Sequence, residues 1–227
     1  MSESMKSKPW LPYVVPFGVY MAFLLVQSNA NLLWVYPVKT IAVAAALWFF
    51  RKEYEELCSP MIGKANAASG DAAYSYVWAV TIGLVAIAIW IGIDSFYPKF
   101  TQATPFDPTA IGSVAQRNVF LAFRVVGAVI VVPLMEELFW RAFLIRWLIN
   151  ENFKSVPVGA FTWLSFAVTA GLFGAEHSEW LAGLICGVLY NGLYYKRKDV
   201  FSCVVAHAVS NAALAVWVLS RGDWKFW

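Results

Sequence analysis

The sequence predicts an all-α, polytopic membrane protein, a bundle of about eight transmembrane helices, and three observations carry that prediction. Of the 227 residues, 60% are hydrophobic and 14% charged, and the mean hydropathy is +0.61, far from the balance of an ordinary soluble domain. The apolar residues fall in repeated runs joined by short polar links, which leaves no hydrophilic segment long enough for a separate soluble domain. Several of the 12 Trp, including Trp10, Trp34, Trp180, Trp224 and Trp227, stand at the ends of these runs, where amphipathic rings settle at headgroup level. A single membrane-embedded domain is therefore expected over 1–227, with N-terminal spans and loops in 1–113 and the helices that carry the chemistry in 114–219.

In chain order, Met1 to Lys8 is basic, and the apolar run after it lacks a small-residue cleavage site and contains Pro12 and Pro16, so it reads as a retained first span, Leu11 to Gln27. The polar turn Ser28-Asn29-Ala30-Asn31 joins it to a second, Leu33 to Phe50, as a helical hairpin. A charged stretch from Arg51 to Leu57 follows, and Ser59 to Asp71 has the Pro, Gly and small-residue content of a solvated connector. Tyr74 to Ile93 is the third span. Pro98, Pro105 and Pro108 mark Asp94 to Gly112 as an aqueous loop. Val114 to Val132 is the fourth span and ends at Pro133, which suits the first turn of a new helix because its missing N–H is unneeded there. The fifth then runs from Leu134 to Ile149, followed by Pro157 to Gly174, Trp180 to Tyr195 and Val200 to Leu219. Eight spans place both termini on one face, and the Lys and Arg residues then divide evenly between the faces, so the positive-inside rule gives no orientation. Cys58, Cys186 and Cys203 match no zinc or redox spacing and read as buried thiols. A formal net charge of +3, dispersed along the chain, gives no case for nucleic acid as a partner.

The residues that break the pattern are ionisable groups inside apolar helices, where they are costly and mark function by default. Glu136, Glu137 and Arg141 lie in one such run. Residues four apart share a helix face, so Glu137 reaches Arg141, while Glu136 points about 100° away and is left for another partner. The chain has only two histidines. His177 shares a face with Phe173, and His207 with Asn211, by the same spacing. A carboxylate, two imidazoles and an amide can thus converge between helices. Each signal also has a structural reading: an ion-pair cluster bracing two helices, an interfacial His beside Glu176 and Glu179, and interhelical hydrogen bonds from His207 and Asn211. Arg124 and Asn191 read as packing or cavity lining.

Taken in order, Glu136-Glu137-Leu138-Phe139-Trp140-Arg141, Phe173 to His177 and His207 to Asn211 resemble the E-E-x-x-x-R, F-x-x-x-H and H-x-x-x-N motifs of the CAAX prenyl protease and bacteriocin-processing family of intramembrane proteases. The patterns Tyr13-Val14-Val15-Pro16-Phe17 and Tyr36-Pro37-Val38-Lys39-Thr40 resemble bacterial CAAX-protease-related proteins associated with exosortase sorting systems. The resemblance implies eight transmembrane helices around an intramembrane cavity and hydrolysis of a peptide bond near the C-terminus of a membrane-associated substrate, without a covalent intermediate. It implies Glu136 as the base that activates water with His177 as its partner, His207 and Asn211 as oxyanion donors, and Glu137, Arg141 and Phe173 in support. No cofactor is favoured. Zinc or another divalent cation held by Glu136, His177 and His207 is the metal-dependent alternative, although no H-E-x-x-H pair is present. The bilayer and a C-terminal sorting segment are the expected partners, and the bacterial inner membrane the expected location. A non-catalytic scaffold or immunity protein of the same fold, or a small proton-coupled transporter using Glu136 and His177 as a relay, are the readings from other classes.

Overall fold

The computed structural model describes residues 8–58, 71–100 and 105–227. Among these the chain is helical, with eight helices: α1 (Leu11–Val26), α2 (Leu32–Phe49), α3 (Glu55–Cys58), α4 (Asp71–Gly92), α5 (Val114–Trp147), α6 (Trp163–Ala175), α7 (Trp180–Arg197) and α8 (Val200–Arg221). The helices α2, α5 and α8 are long and apolar enough to cross a membrane, and the protein is an integral membrane protein. The expected connector between Ser59 and Asp71 lies largely outside the described residues.

Eight helices are present, but one of them, α3, has only four residues, and the expected spans Val114–Val132 and Leu134–Ile149 are the single helix α5. Pro133 does not start a new helix: α5 runs unbroken for 34 residues. A proline inside a helix lacks an N–H, and its ring crowds the carbonyl one turn back. Here the preceding turn, Gly127–Val131, widens into a π-helix, and the Val132 N–H bonds Gly127 O instead of Ala128 O. The Ala128 carbonyl, left without a helical donor, accepts from Asn211 Nδ2 of α8 at 2.8 Å. Tyr36 of α2 packs on the same turn. Its hydroxyl donates to Arg124 O at 3.3 Å, and a Cβ on Gly127 would come within 2.9 Å of that hydroxyl. A second π segment, Leu138–Leu144, follows in the same helix. The sixth predicted span also begins later than expected, at Trp163, because Thr162 caps α6 by accepting from Ser165 N at 3.1 Å.

Small residues set the closest helix approaches, as is usual where lipid removes the hydrophobic drive to associate. Ala170 and Gly174 of α6 face Gly183 and Gly187 of α7, and a Cβ on Gly174 would lie 2.9 Å from the α7 backbone. On α4, a Cβ on Gly83 would lie 2.3 Å from Ala206 O of α8. These contacts hold α8, with His207, against the rest of the bundle.

With α5 crossing once, the long helices alternate direction so that the two ends of the described chain lie on opposite faces, which corrects the expectation of both on one face. Contacts at each end agree. On the near face, where α1 begins, Arg146 pairs with Glu56, whose other oxygen accepts from the Tyr13 hydroxyl at 2.8 Å. On the far face, Lys225 pairs with Asp94 at 2.8 Å and Phe100 N donates to Ser178 O at 3.2 Å. Burial raises the Asp94 carboxyl, but hydrogen bonds from Lys225 and Lys99 outweigh it and hold the group below its ordinary value. The basic residues no longer divide evenly. Lys8, Arg51, Lys52, Arg146, Lys154, Lys196, Arg197 and Lys198 gather at the near face, against Lys99, Arg117, Arg221 and Lys225 at the far one. The positive-inside rule then puts the near face in the cytoplasm. In a variant lacking the native cysteines, Phe96→Cys should react with a membrane-impermeant maleimide on intact cells, and Glu151→Cys only after lysis. The reverse pattern would invert the orientation.

Candidate active site

Three helices, α5, α6 and α8, bring the singled-out residues to one cavity of about 280 Å³, lined among others by Glu136, Phe173, His177 just past the end of α6, His207 and Asn211. Glu137 and Arg141 lie behind it and are fully buried. The spacing-derived pair is present: Arg141 Nη1 donates to Glu137 Oε1 at 3.0 Å. The same oxygen accepts from His207 Nδ1 at 2.9 Å, a contact that no local spacing foretells because the partners are 70 residues apart. Arg141 is further fixed by Asn191 Oδ1 at 3.1 Å and Gly187 O at 3.4 Å. Asn191 donates in turn to Thr169 Oγ1 at 2.9 Å and Phe166 O at 3.2 Å. Asn191, read from sequence as lining, is therefore the link that ties α5 to α6 and α7. Phe173 lies beneath the guanidinium at 4.7 Å and beside both imidazoles, with ring centroids 5.1 Å from His177 and 5.9 Å from His207.

The two histidines are held through Nδ1. Carbonyl oxygens only accept, so the 2.7 Å contact of His177 Nδ1 with Phe173 O places a proton on Nδ1 and leaves the Nε2 lone pair in the neutral ring. His207 likewise donates from Nδ1 to Glu137. Its Nε2 lies 4.0 Å from Glu136 Oε2, and its ring stacks on Tyr190 at 5.3 Å. Tyr190 is anchored by Ser210 at 2.7 Å. Glu136 stands apart from its neighbour. It is buried, and its Oε2 has no protein hydrogen-bond partner. Asn211 commits one amide hydrogen to Ala128 O and retains a second.

One residue of the site escaped the sequence reading. Among the described residues, the cluster able to hold a metal is Glu136, Glu176 and His177, whose ligand atoms lie within 4.8 Å of one another; it is not the expected trio with His207. Glu176 is oriented by Trp140 Nε1, which donates to it at 3.1 Å. Its sequence signal is an acid directly beside His177 at the end of an apolar run, where it figures only as a neighbour of a His weighed as interfacial. The N-terminal helices also contribute, with Tyr20, Gln27, Tyr36 and Lys39 on the cavity wall. At the far face the cavity adjoins a wider vestibule of about 820 Å³, and Gln27, Arg124, Glu179, Phe226 and Trp227 line both.

Comparison with known proteins gives one positive finding. A family model described as type II CAAX prenyl endopeptidase Rce1-like matches residues 118–213, a span that holds all three motifs and ends beyond Asn211. No curated protein and no solved structure matches. Residues 118–213, the part of the chain that builds most of this site, are therefore similar to the Rce1-like type II CAAX prenyl endopeptidases.

Proposed function

We propose that the protein is an intramembrane endopeptidase that hydrolyses a peptide bond near the C-terminus of a membrane-associated substrate, with water activated by Glu136. The observation that carries this reading is the contrast between adjacent carboxylates. Each keeps an Oε2 with no protein partner, but Glu137 lies behind the cavity and is paired through Oε1 with Arg141 and His207, whereas Glu136 makes no ion pair with Arg141 and lines the cavity itself. A purely structural ion-pair cluster requires only the first. In a bacterial cytoplasmic membrane, the natural substrate is a protein with a C-terminal sorting segment, and prenylation is not required.

The residues divide the work as follows. Glu136 takes a proton from water as the water oxygen bonds to the scissile carbonyl carbon. The neutral His177, with its Nε2 lone pair, helps position that water. Charge develops on the carbonyl oxygen, and the free amide hydrogen of Asn211 and His207 Nε2, in the doubly protonated ring, stabilise it; one such contact in a dry site is worth about 3 kcal/mol. The C–N bond then breaks, and the proton held by Glu136 passes to the leaving amine. Glu136, Glu176 and His177 together would suit a divalent cation, which would supply Lewis acidity and a more acidic water. We favour the route without one, since Glu136 and His177 suffice for the proton transfers.

Three tests follow from this division. Glu136→Gln keeps volume and polarity but not basicity, so it should lower cleavage by about 10²- to 10⁴-fold with an unchanged melting temperature; wild-type-like turnover would sink the mechanism. Glu137→Gln should instead lose stability and activity together, because breaking a buried charge pair costs about 3–5 kcal/mol. Lost activity with unchanged melting would move Glu137 into direct contact with substrate. Dialysis against a strong chelator should leave the cleavage rate intact, whereas loss that zinc reverses would make Glu136 a ligand rather than the base.

A further inference from the structure

Among the described residues, two cations on the cavity wall have no acid paired with them. Lys39 of α2 is 3% exposed, and its Nζ donates to Gln27 Oε1 at 2.8 Å. It also lies 4.7 Å from the ring centroids of Tyr20 and Tyr36. The Arg124 guanidinium sits 4.8 Å over the same Tyr36 ring and 5.4 Å over Trp227. Among the described residues neither makes an ion pair with a carboxylate. Of the nearby acids, Glu179 faces Lys99 at 4.0 Å, and Glu136 lies much deeper along α5. Amide and aromatic contacts offset part of the cost of burying two like charges, but an anion between them offsets more.

The geometry points to a subsite for the terminal carboxylate of the substrate peptide, formed by Lys39 and Arg124 and resting on the endopeptidase reading above. Helix periodicity supports a functional alignment with the base. Arg124, Ala128, Val132 and Glu136 all line the cavity, although steps of four drift by about 40° each on an ideal α-helix. The π turn at Gly127–Val131 absorbs about one residue of that drift, so Arg124 and Glu136 return to nearly the same face after three turns. The twelve intervening steps span at most roughly 18 Å. An extended peptide advances about 3.3 Å per residue, so the scissile bond lies no more than about five residues from the carboxylate. The short leaving peptide is the part held by the cations, beside the vestibule through which it departs, while the membrane-anchored body remains in the bilayer.

Binding can be measured without turnover in purified Glu136→Gln protein. The probe is an N-acetylated apolar pentapeptide carrying a fluorophore, offered as its free acid and as its carboxamide. The acid should bind at least tenfold more tightly. Arg124→Gln and Lys39→Met should each remove most of that preference while leaving carboxamide binding unchanged. Equal binding of the two forms, or binding of neither, overturns the subsite. Dioctanoyl phosphatidate that binds through Lys39 and Arg124 while the peptide acid shows no preference also overturns it, and assigns the cations to a lipid phosphate. Because no cleavage is read, failure here is distinct from failure of the peptidase reading, which the Glu136→Gln turnover assay decides.

Discussion

The site depends on one oxygen. Glu137 Oε1 accepts from Arg141 and from His207, with donor distances of 3.0 and 2.9 Å, in surroundings where an unpaired charge costs several kcal/mol. Through Arg141 the network continues to Asn191 and Thr169, and through His207 it reaches the α8 face that carries Asn211. Four helices are thereby indexed to a single carboxylate. A membrane protein cannot rely on the hydrophobic effect to choose among helix registers, because lipid is as apolar as the helix surfaces. A buried charge network makes that choice, and small residues such as Gly174, Gly183 and Gly187 allow the backbones to approach closely enough for it to form.

The proline of α5 shows how a local defect becomes a functional placement. Pro133 costs the helix a hydrogen bond, yet the chain does not break there, since a break would expose unsatisfied backbone groups in the bilayer core. The cost is spread over a π turn, and the orphaned Ala128 carbonyl takes its donor from Asn211. That bond fixes the Asn211 side chain beside the cavity with one amide hydrogen still free. A helix irregularity, a cross-helix bond and an oriented polar group are thus one arrangement.

Much of this was legible in the sequence, for a definite reason. Charges in apolar runs are so expensive that Glu136, Glu137, Arg141, His177 and His207 stand out without any structure, and the i,i+4 rule gave the Glu137–Arg141 pair directly. What was not legible depends on distance along the chain. The His207–Glu137 bond joins residues 70 apart, and no periodicity encodes it. Glu176 reads only as a neighbour of His177 until the fold brings it beside Glu136. Arg124 reads as packing or cavity lining, and Lys39 only as part of the Tyr36–Thr40 pattern, until both are seen to lie over the Tyr36 ring. The misplaced boundary at Pro133 came from treating a helix-start preference as decisive, although tertiary partners for freed carbonyls let a proline sit inside a long helix. That one boundary also reversed the sidedness of every later helix, which is why the distribution of basic residues became informative only with the fold in hand.

The length of α6 bears on how water would reach Glu136, the proposed base, among apolar helices. Its 13 residues span roughly 20 Å, short of the ~30 Å hydrocarbon core. Glu176 and His177 follow at its end, and the turn through Ser178 and Glu179 lies at the far face, where Phe100 N donates to Ser178 O at 3.2 Å and Trp180 Nε1 to Pro98 O at 2.9 Å. Ser178 and Glu179 line the vestibule there. The proposed hydrolysis needs that access, because water is its second substrate. The short α6 and the histidine at its end are therefore parts of one solution, in which the bundle stays closed to lipid around Glu137 and open to water in front of Glu136.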